Sequence, residues 1–368
     1  MVIGTNDQES SRESATEIHS RGFWSETWLR FRRRKFAMTA FVFVAILSII
    51  AILSPCLAGT KPIACRYKGA VYFPAMGYFR STWENPVFVN DGFYGIYPVT
   101  LREKDPDSWA IWPLLYQDPY RRVGDDEWEG QPANDVYLSP NRNNLLGTNN
   151  TGVDVLAQMI HGTQTALLVG FVSTGFAAVI GIILGSLAGY LGGWADILLS
   201  RLIELVMCIP TLVLILALMA IIESPTIWHL MMILGLTSWT GIARLTRGEF
   251  LKLKQMDFVT SARSLGAGGL RIMFRHILPN ALAPVLVPIS FGIASAIIVE
   301  AALSLLGFGP PPPNPSWGTL LNAGKENPSM WWLIVFPGFA ISLTVLAYNL
   351  IGEGLQEATD PRLREAGK

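Results

Sequence analysis

The sequence predicts an all-α integral membrane protein: six transmembrane helices, both termini cytoplasmic, and an extracytoplasmic insertion after the first helix. Two observations carry this. Hydrophobic residues make up 51% of the 368 positions and charged residues only 15%, and the charges leave long gaps. No Asp, Glu, Lys or Arg occurs in 36–60, 162–195, 205–222, 224–243, 277–299 or 327–352. About 20 apolar residues cross a bilayer core as a helix, so the gaps place spans at 36–58, 163–191, 202–222, 226–246, 281–306 and 331–352. Buried helices of a soluble protein are the competing reading; so many long runs in one chain argue against it.

The first span follows "WLRFRRRKF", with Arg30, Arg32, Arg33, Arg34 and Lys35. Basic loops stay in the cytoplasm, which makes 1–35 a cytoplasmic segment. The loop between the fourth and fifth spans then faces the same side. From Arg244 to Arg275 it carries seven basic residues against Glu249 and Asp257. The segment 59–161 falls outside and has the opposite balance, nine basic and twelve acidic residues. A five-helix core over 162–355, containing a loop at 247–280, and a cytoplasmic tail at 356–368 complete the division.

The outer segment is rich in aromatic residues, among them Tyr67, Tyr72, Tyr78, Tyr97, Trp109, Trp112 and Trp128. Disordered linkers lack such side chains. A small folded cap and an irregular surface loop remain alternatives, with "GAVYFP" (69–74) as a strand in the first case. Cys56 and Cys65, near the outer end of the first span, either pair or stay free; Cys208 reads as a packed thiol inside a span. Asn149-Asn150-Thr151 matches a glycosylation sequon. Trp331 and Trp332 occupy an interfacial anchor position, and the stiff segment Pro310–Pro315 either braces the outer mouth, touches an outer partner or is only a rigid connector.

Several chemistries lack a signature. There is no G-x-x-x-x-G-K-[ST] phosphate loop, no H-E-x-x-H and no G-x-S-x-G. The histidines, His19, His161, His229 and His276, are scattered, so no metal site and no catalytic residue is assigned. A net charge of zero gives no case for nucleic acid. Glu204 and Glu300 lie within or at the edge of spans. Intramembrane carboxylates often mark a pathway; pairing with a neighbouring helix is the other reading.

"TSARSLGAGGLRIMFRHILPN" (260–280) is the most structured of the polar stretches. Phe258, Ala262 and Leu265 form an i, i+4, i+7 stripe. Gly266, Gly268 and Gly269 break that helix. A second short helix places Leu270, Met273, Phe274 and Ile277 opposite Arg271 and Arg275, and Pro279 ends it before the fifth span. Such a hairpin either docks on a soluble partner or rests on anionic lipid headgroups.

This stretch resembles the "EAA" loop of ABC-importer permeases, whose pattern is E-A-A, three residues, Gly, nine residues, I-x-L-P. Those positions hold Thr260, Ser261, Ala262, Gly266, His276, Leu278 and Pro279; Thr260 stands for the Glu, Ser261 for the first Ala and His276 for the Ile. "RHILPN", "NLLGTNNTGVDVLAQMIHG", "LAGYLGGWAD", "EAALSLLGFGPPPPNPSWG" and "LTVLAYNLIGEGLQEATDPR" are similar to segments of the dipeptide/oligopeptide branch. The likeness covers about 24–362, and the long outer insertion looks most like the oligopeptide importers that also take up microcin C.

The resemblance implies a type I ABC importer permease fold in a bacterial inner membrane, and one half of a peptide translocation pathway. A second permease, different or identical, would supply the other half. Two ATP-binding cassette ATPases would bind beneath and an extracytoplasmic binding protein above. ATP would be held by the partner subunits and no cofactor by this chain. The 257–279 loop would couple to the ATPases through Asp257, Thr260, Ser261, Ala262, Arg263, Gly266, His276, Leu278 and Pro279, with Arg263 or Asp257 compensating for the missing Glu. A secondary transporter or channel working without ATPases, and a membrane sensor, are the alternatives.

Overall fold

The computed structural model describes residues 23–359 except 94, 95, 126, 129, 131, 312 and 313. His19, the terminal segments 1–22 and 360–368, and Pro312 and Pro313 lie outside the described residues. A short helix α1 (Phe23–Arg33) leads into α2 (Lys35–Leu57). Small residues on one face of α2, Ala37, Ala40, Val44 and Ala51, are buried, while Phe41, Ile46, Ile49 and Ile52 are exposed. A long helix with large apolar side chains on its open face is built for lipid contact.

The outer segment is folded. An antiparallel sheet with strand order β2-β1-β3 comprises β1 (Ala64–Tyr67), β2 (Ala70–Tyr72) and β3 (Trp109–Ile111). Helices α3 (Pro86–Asn90) and α4 (Tyr97–Lys104) flank it. Cys65, Tyr67, Phe88, Phe93 and Tyr97 form its core. The predicted strand at 69–74 is present, shortened to β2. Cys65 and Cys56 are both free, so no disulfide joins the cap to α2. The tether is polar instead. Asp118 accepts from Thr60 at 2.6 Å and Tyr78 at 2.9 Å, and His161 bonds the Ala58 carbonyl at 2.8 Å.

Helix α5 (Val155–Leu191) starts well before 163, because Asp154 caps it by accepting from the Ala157 amide at 2.8 Å; residues 155–161 belong to this helix and not to the insertion. The expected span 202–222 is broken into α6 (Gly193–Met207) and α7 (Thr211–Ile221), which bend by 82°. Pro210 lacks an N–H and pushes Ile209 out of the helical region. Cys208 sits at this break and is exposed rather than packed. Helix α8 (Ile227–Leu253) outruns its predicted end at 246.

Helix α9 (Asp257–Ser264) leads to α10, which runs unbroken over Gly269–Leu305. Pro279 therefore does not end a helix. The turns at Ile272–Ile277 are π-helical, and such widened turns absorb a proline's missing donor. A short helix α11 (Trp317–Glu326) and α12 (Trp332–Thr359) complete the chain. Trp331 is half exposed, but Trp332 is buried and donates its indole N–H to the Thr148 carbonyl at 3.0 Å. It is a packing residue, not an interfacial anchor.

By length and composition α2, α5, α10 and α12 are fit to cross a membrane, and a fifth span results if the bent pair counts as one. Helix α8 is 27 residues long, but Arg244, Arg247, Glu249 and Lys252 make its second half polar. Helices α5 and α8 meet most closely. A Cβ on Gly185 would lie 2.4 Å from the Ala243 carbonyl oxygen, and one on Gly181 or Gly189 would come within 2.8 or 2.6 Å of α8. Glycines four apart let helix backbones touch within a bilayer.

Candidate functional site

The hairpin between α8 and α10 is a short exposed helix held by one small core. Val259 is fully buried against Phe250, Ile272, Met273 and Ile277, with Tyr190, Ala262, Ala267 and Leu278 around them. Lys254 donates to the Tyr190 carbonyl at 2.6 Å and lies over that ring. Arg247 grips Asp196 with two donors, one at 2.8 Å, joining α8 to α6. The end of α9 is closed by backbone alone. Ala267 N–H donates to Ala262 O at 3.1 Å and Gly266 N–H to Arg263 O at 3.0 Å. That six-to-one and five-to-two pair is a Schellman motif, which needs a left-handed residue between them. Gly266 supplies it, with φ +81°.

The buried face of α9 is not the predicted stripe. Phe258 and Leu265 are exposed, the latter at 88%, while Val259 faces inward and Ala262 is half buried. On the following turns Ile272, Met273 and Ile277 are buried, but Leu270 and Phe274 are exposed at 71% and 59%. The open surface thus combines Phe258, Leu265, Leu270 and Phe274 with Asp257, Arg263, Arg271 and Arg275. Thr260 and Ser261 are exposed on it, and Pro279 also faces out. His276 is half-buried, and its carbonyl accepts from Asn280 at 2.7 Å. Arg247 and Glu249, inside the predicted loop 247–280, belong to α8.

The two intramembrane acids separate. Glu204 is exposed and pairs with Arg201 one turn away. Glu300 is 1% exposed near the C-terminal end of α10. Ser304 donates to it at 2.8 Å, and Ser316, the N-cap of α11, also reaches it. Gly309 and Gly318 leave room for Ser304 alone, since a Cβ on either would collide with it. Glu300 is a structural tie between α10 and α11.

Sequence reasoning missed the anchors Val259, Phe250 and Tyr190 and the Asp196–Arg247 pair. The glycines at 181, 185 and 189 were a readable signal for the α5–α8 contact; the ion pair had none, because its partners are far apart in the chain. Among the described residues no cluster of His, Cys, Asp or Glu could hold a metal ion.

Residues 181–365 match the model of the binding-protein-dependent transport system inner membrane component, and residues 22–69 match the N-terminal TM domain of oligopeptide transport permease C. The chain is 31% identical over 363 residues to the peptidoglycan transport system permease protein YejE of Agrobacterium fabrum, covering 91% of this chain and 92% of the relative. It is 32% identical to the inner membrane ABC transporter permease protein YejE of Escherichia coli (91% and 96%), and 31% identical to the dipeptide transport system permease protein DppC of Haemophilus influenzae (92% and 95%). An inward-facing MetNI methionine ABC transporter structure aligns with 54% of this chain and 97% of its own, at 20% identity and a TM-score of 0.42. The chain is a multi-pass inner-membrane protein and belongs to the family of binding-protein-dependent transport system inner membrane components.

Proposed function

We propose that this chain is a permease subunit of an ATP-driven peptide importer, forming half of the translocation path. The observation that carries the reading is the α9 hairpin. Its inner face is locked on Val259 and its outer face leaves Phe258, Leu265, Leu270 and Phe274 in the open beside three arginines. A surface of that size and mixture is costly to leave wet and suits a protein groove. Its rigid seat would let a push on α9 pass through Phe250 and Ile272 into α8 and α10.

In this reading the chain crosses the membrane six times, with α8 and the broken α6–α7 pair as two of the crossings. At about 1.5 Å per residue α8 is long enough, and its charges would lie at the cytoplasmic end. A second permease, two ATPases holding the ATP and an extracytoplasmic binding protein would complete the machine. Peptide is the proposed substrate because several relatives carry dipeptide or peptide in their names. This chain would do no chemistry on it.

The test is co-purification from native membranes in mild detergent. Recovery of a second permease and of ATPase subunits, with ATP-dependent peptide uptake by the reconstituted complex, is expected. A chain that purifies alone and moves solute without ATP would overturn the reading.

A further inference from the structure

A cavity of about 270 Å³ opens between α5, α8 and α10. Ser173 and Thr174 come from α5, Ser238 and Gly241 from α8, and Gly292 and Ser295 from α10. No charged side chain and no histidine lines it. At about 30 Å³ per water, it has room for more than isolated solvent.

Two independent observations point to a ligand. The first is Ser173. Several hydroxyls within these helices satisfy themselves on the preceding turn: Thr163 bonds the Met159 carbonyl at 2.9 Å, Thr237 that of Ile233 at 3.0 Å, and Ser48 that of Val44 at 2.9 Å; Thr246 and Thr344, like Ser173, have no partner, but of these only Ser173 lines the cavity. Ser173 is 2% exposed and its Oγ, at the cavity wall, has no partner. A buried hydroxyl without a partner is expensive. The second is the open side. Ser238, Gly241 and Ser295 are exposed there, whereas the open faces of α2 and α12 present Ile46, Ile49, Val335 and Phe339. Beside the apolar Ala177, Ile242, Pro288, Phe291 and Ala296, these hydroxyls form a polar stripe, and open hydroxyls are unsuited to hydrocarbon.

Resting on the importer reading above, we propose that this cavity is a station on the translocation path, where Ser173, Ser238 and Ser295 hydrogen-bond the main-chain amides of a passing peptide. A hydroxyl both donates and accepts, as an amide group does, so either direction of travel along the chain can be matched. With no fixed charge in the wall, side-chain identity matters little.

The test uses the assembled transporter with Cys56, Cys65 and Cys208 replaced by alanine. Ser238→Cys and Ser295→Cys, in vesicles of both orientations, are treated with a charged thiosulfonate. Each should react at least about tenfold faster than the lipid-facing control Phe339→Cys, and the alanine peptide the complex imports fastest should slow the reaction. Ser173→Ala should lower peptide uptake per ATP hydrolysed about fivefold, the usual worth of one hydrogen bond, with Ser173→Thr close to wild type. Reaction no faster than at the control, or unaffected by peptide, overturns the proposal. Such a result in a complex that still contains its ATPases and imports peptide leaves the importer reading standing; loss of the ATPases counts against that reading instead.

Discussion

The amide of Ala267 reaches back 3.1 Å to the carbonyl of Ala262, and this bond decides where α9 stops and which way the chain leaves it. The geometry works because Gly266, one residue earlier, has φ +81°. Its surroundings are open, with nothing within 4 Å of an added Cβ. Any effect of substitution there is a backbone effect.

Gly266→Val should therefore reorient α9 without disturbing the membrane core. A left-handed β-branched residue costs about 1–2 kcal/mol, enough to open the turn. Expression and helix content by circular dichroism should match wild type, while ATP-dependent uptake falls more than about tenfold. Gly266→Asn, which tolerates this conformation, should keep much of the activity. Equal uptake by wild type and the valine variant would sink the coupling role.

Gly185 tests the opposite mechanism. Its Cβ would sit 2.4 Å from the Ala243 carbonyl, and backbone cannot move aside cheaply. Gly185→Val should lower stability by about 1–3 kcal/mol or more. In the same assay Gly248→Ala, at an open position on α8, should be neutral or raise stability by about 0.5–1 kcal/mol. A thermal melt in detergent compares the two; similar melting temperatures would argue against the glycine contact.

Glu300 should behave as a tie. Glu300→Gln keeps the acceptor for Ser304 and should stay within about 1 kcal/mol of wild type. Glu300→Ala removes the acceptor and leaves a cavity, costing about 2–4 kcal/mol. The melt again decides, and a destabilising Gln with a benign Ala would refute the assignment.

Cys65 offers a pH readout. Burial pushes its thiol up to about 11 from an ordinary value of 9.0. The folded cap favours the neutral thiol, so this contribution is complete below the unfolded value and is lost as pH rises through the range 9 to 11. Iodoacetamide should label Cys65 at pH 8 only after denaturation, whereas the exposed Cys208 is labelled in the folded protein. Rapid labelling of folded Cys65 at that pH would contradict the burial.

Long charge-free runs and the spacing from Gly266 to Leu278-Pro279 were enough by themselves to establish a helical membrane protein and the place of the hairpin. Their information is local or periodic. Which stripe of α9 turns inward was decided by the tertiary structure. An eight-residue helix offers two overlapping stripes, one through Phe258 and Leu265 and one through Val259 and Ala262. Only the position of Phe250, Ile272 and Met273 selects the second, leaving the larger side chains outside. The same holds for Pro210 and Pro279. Both remove one amide donor, yet α6–α7 bends by 82° while α10 runs through a π-helical turn. For Glu300 the sequence left a pathway role and a pairing with a neighbouring helix both open, and only the fold puts Ser304 and Ser316 around it. Hydrophobicity is a property of each segment, but burial and hydrogen-bond satisfaction belong to pairs of segments, and only the fold brings those pairs together.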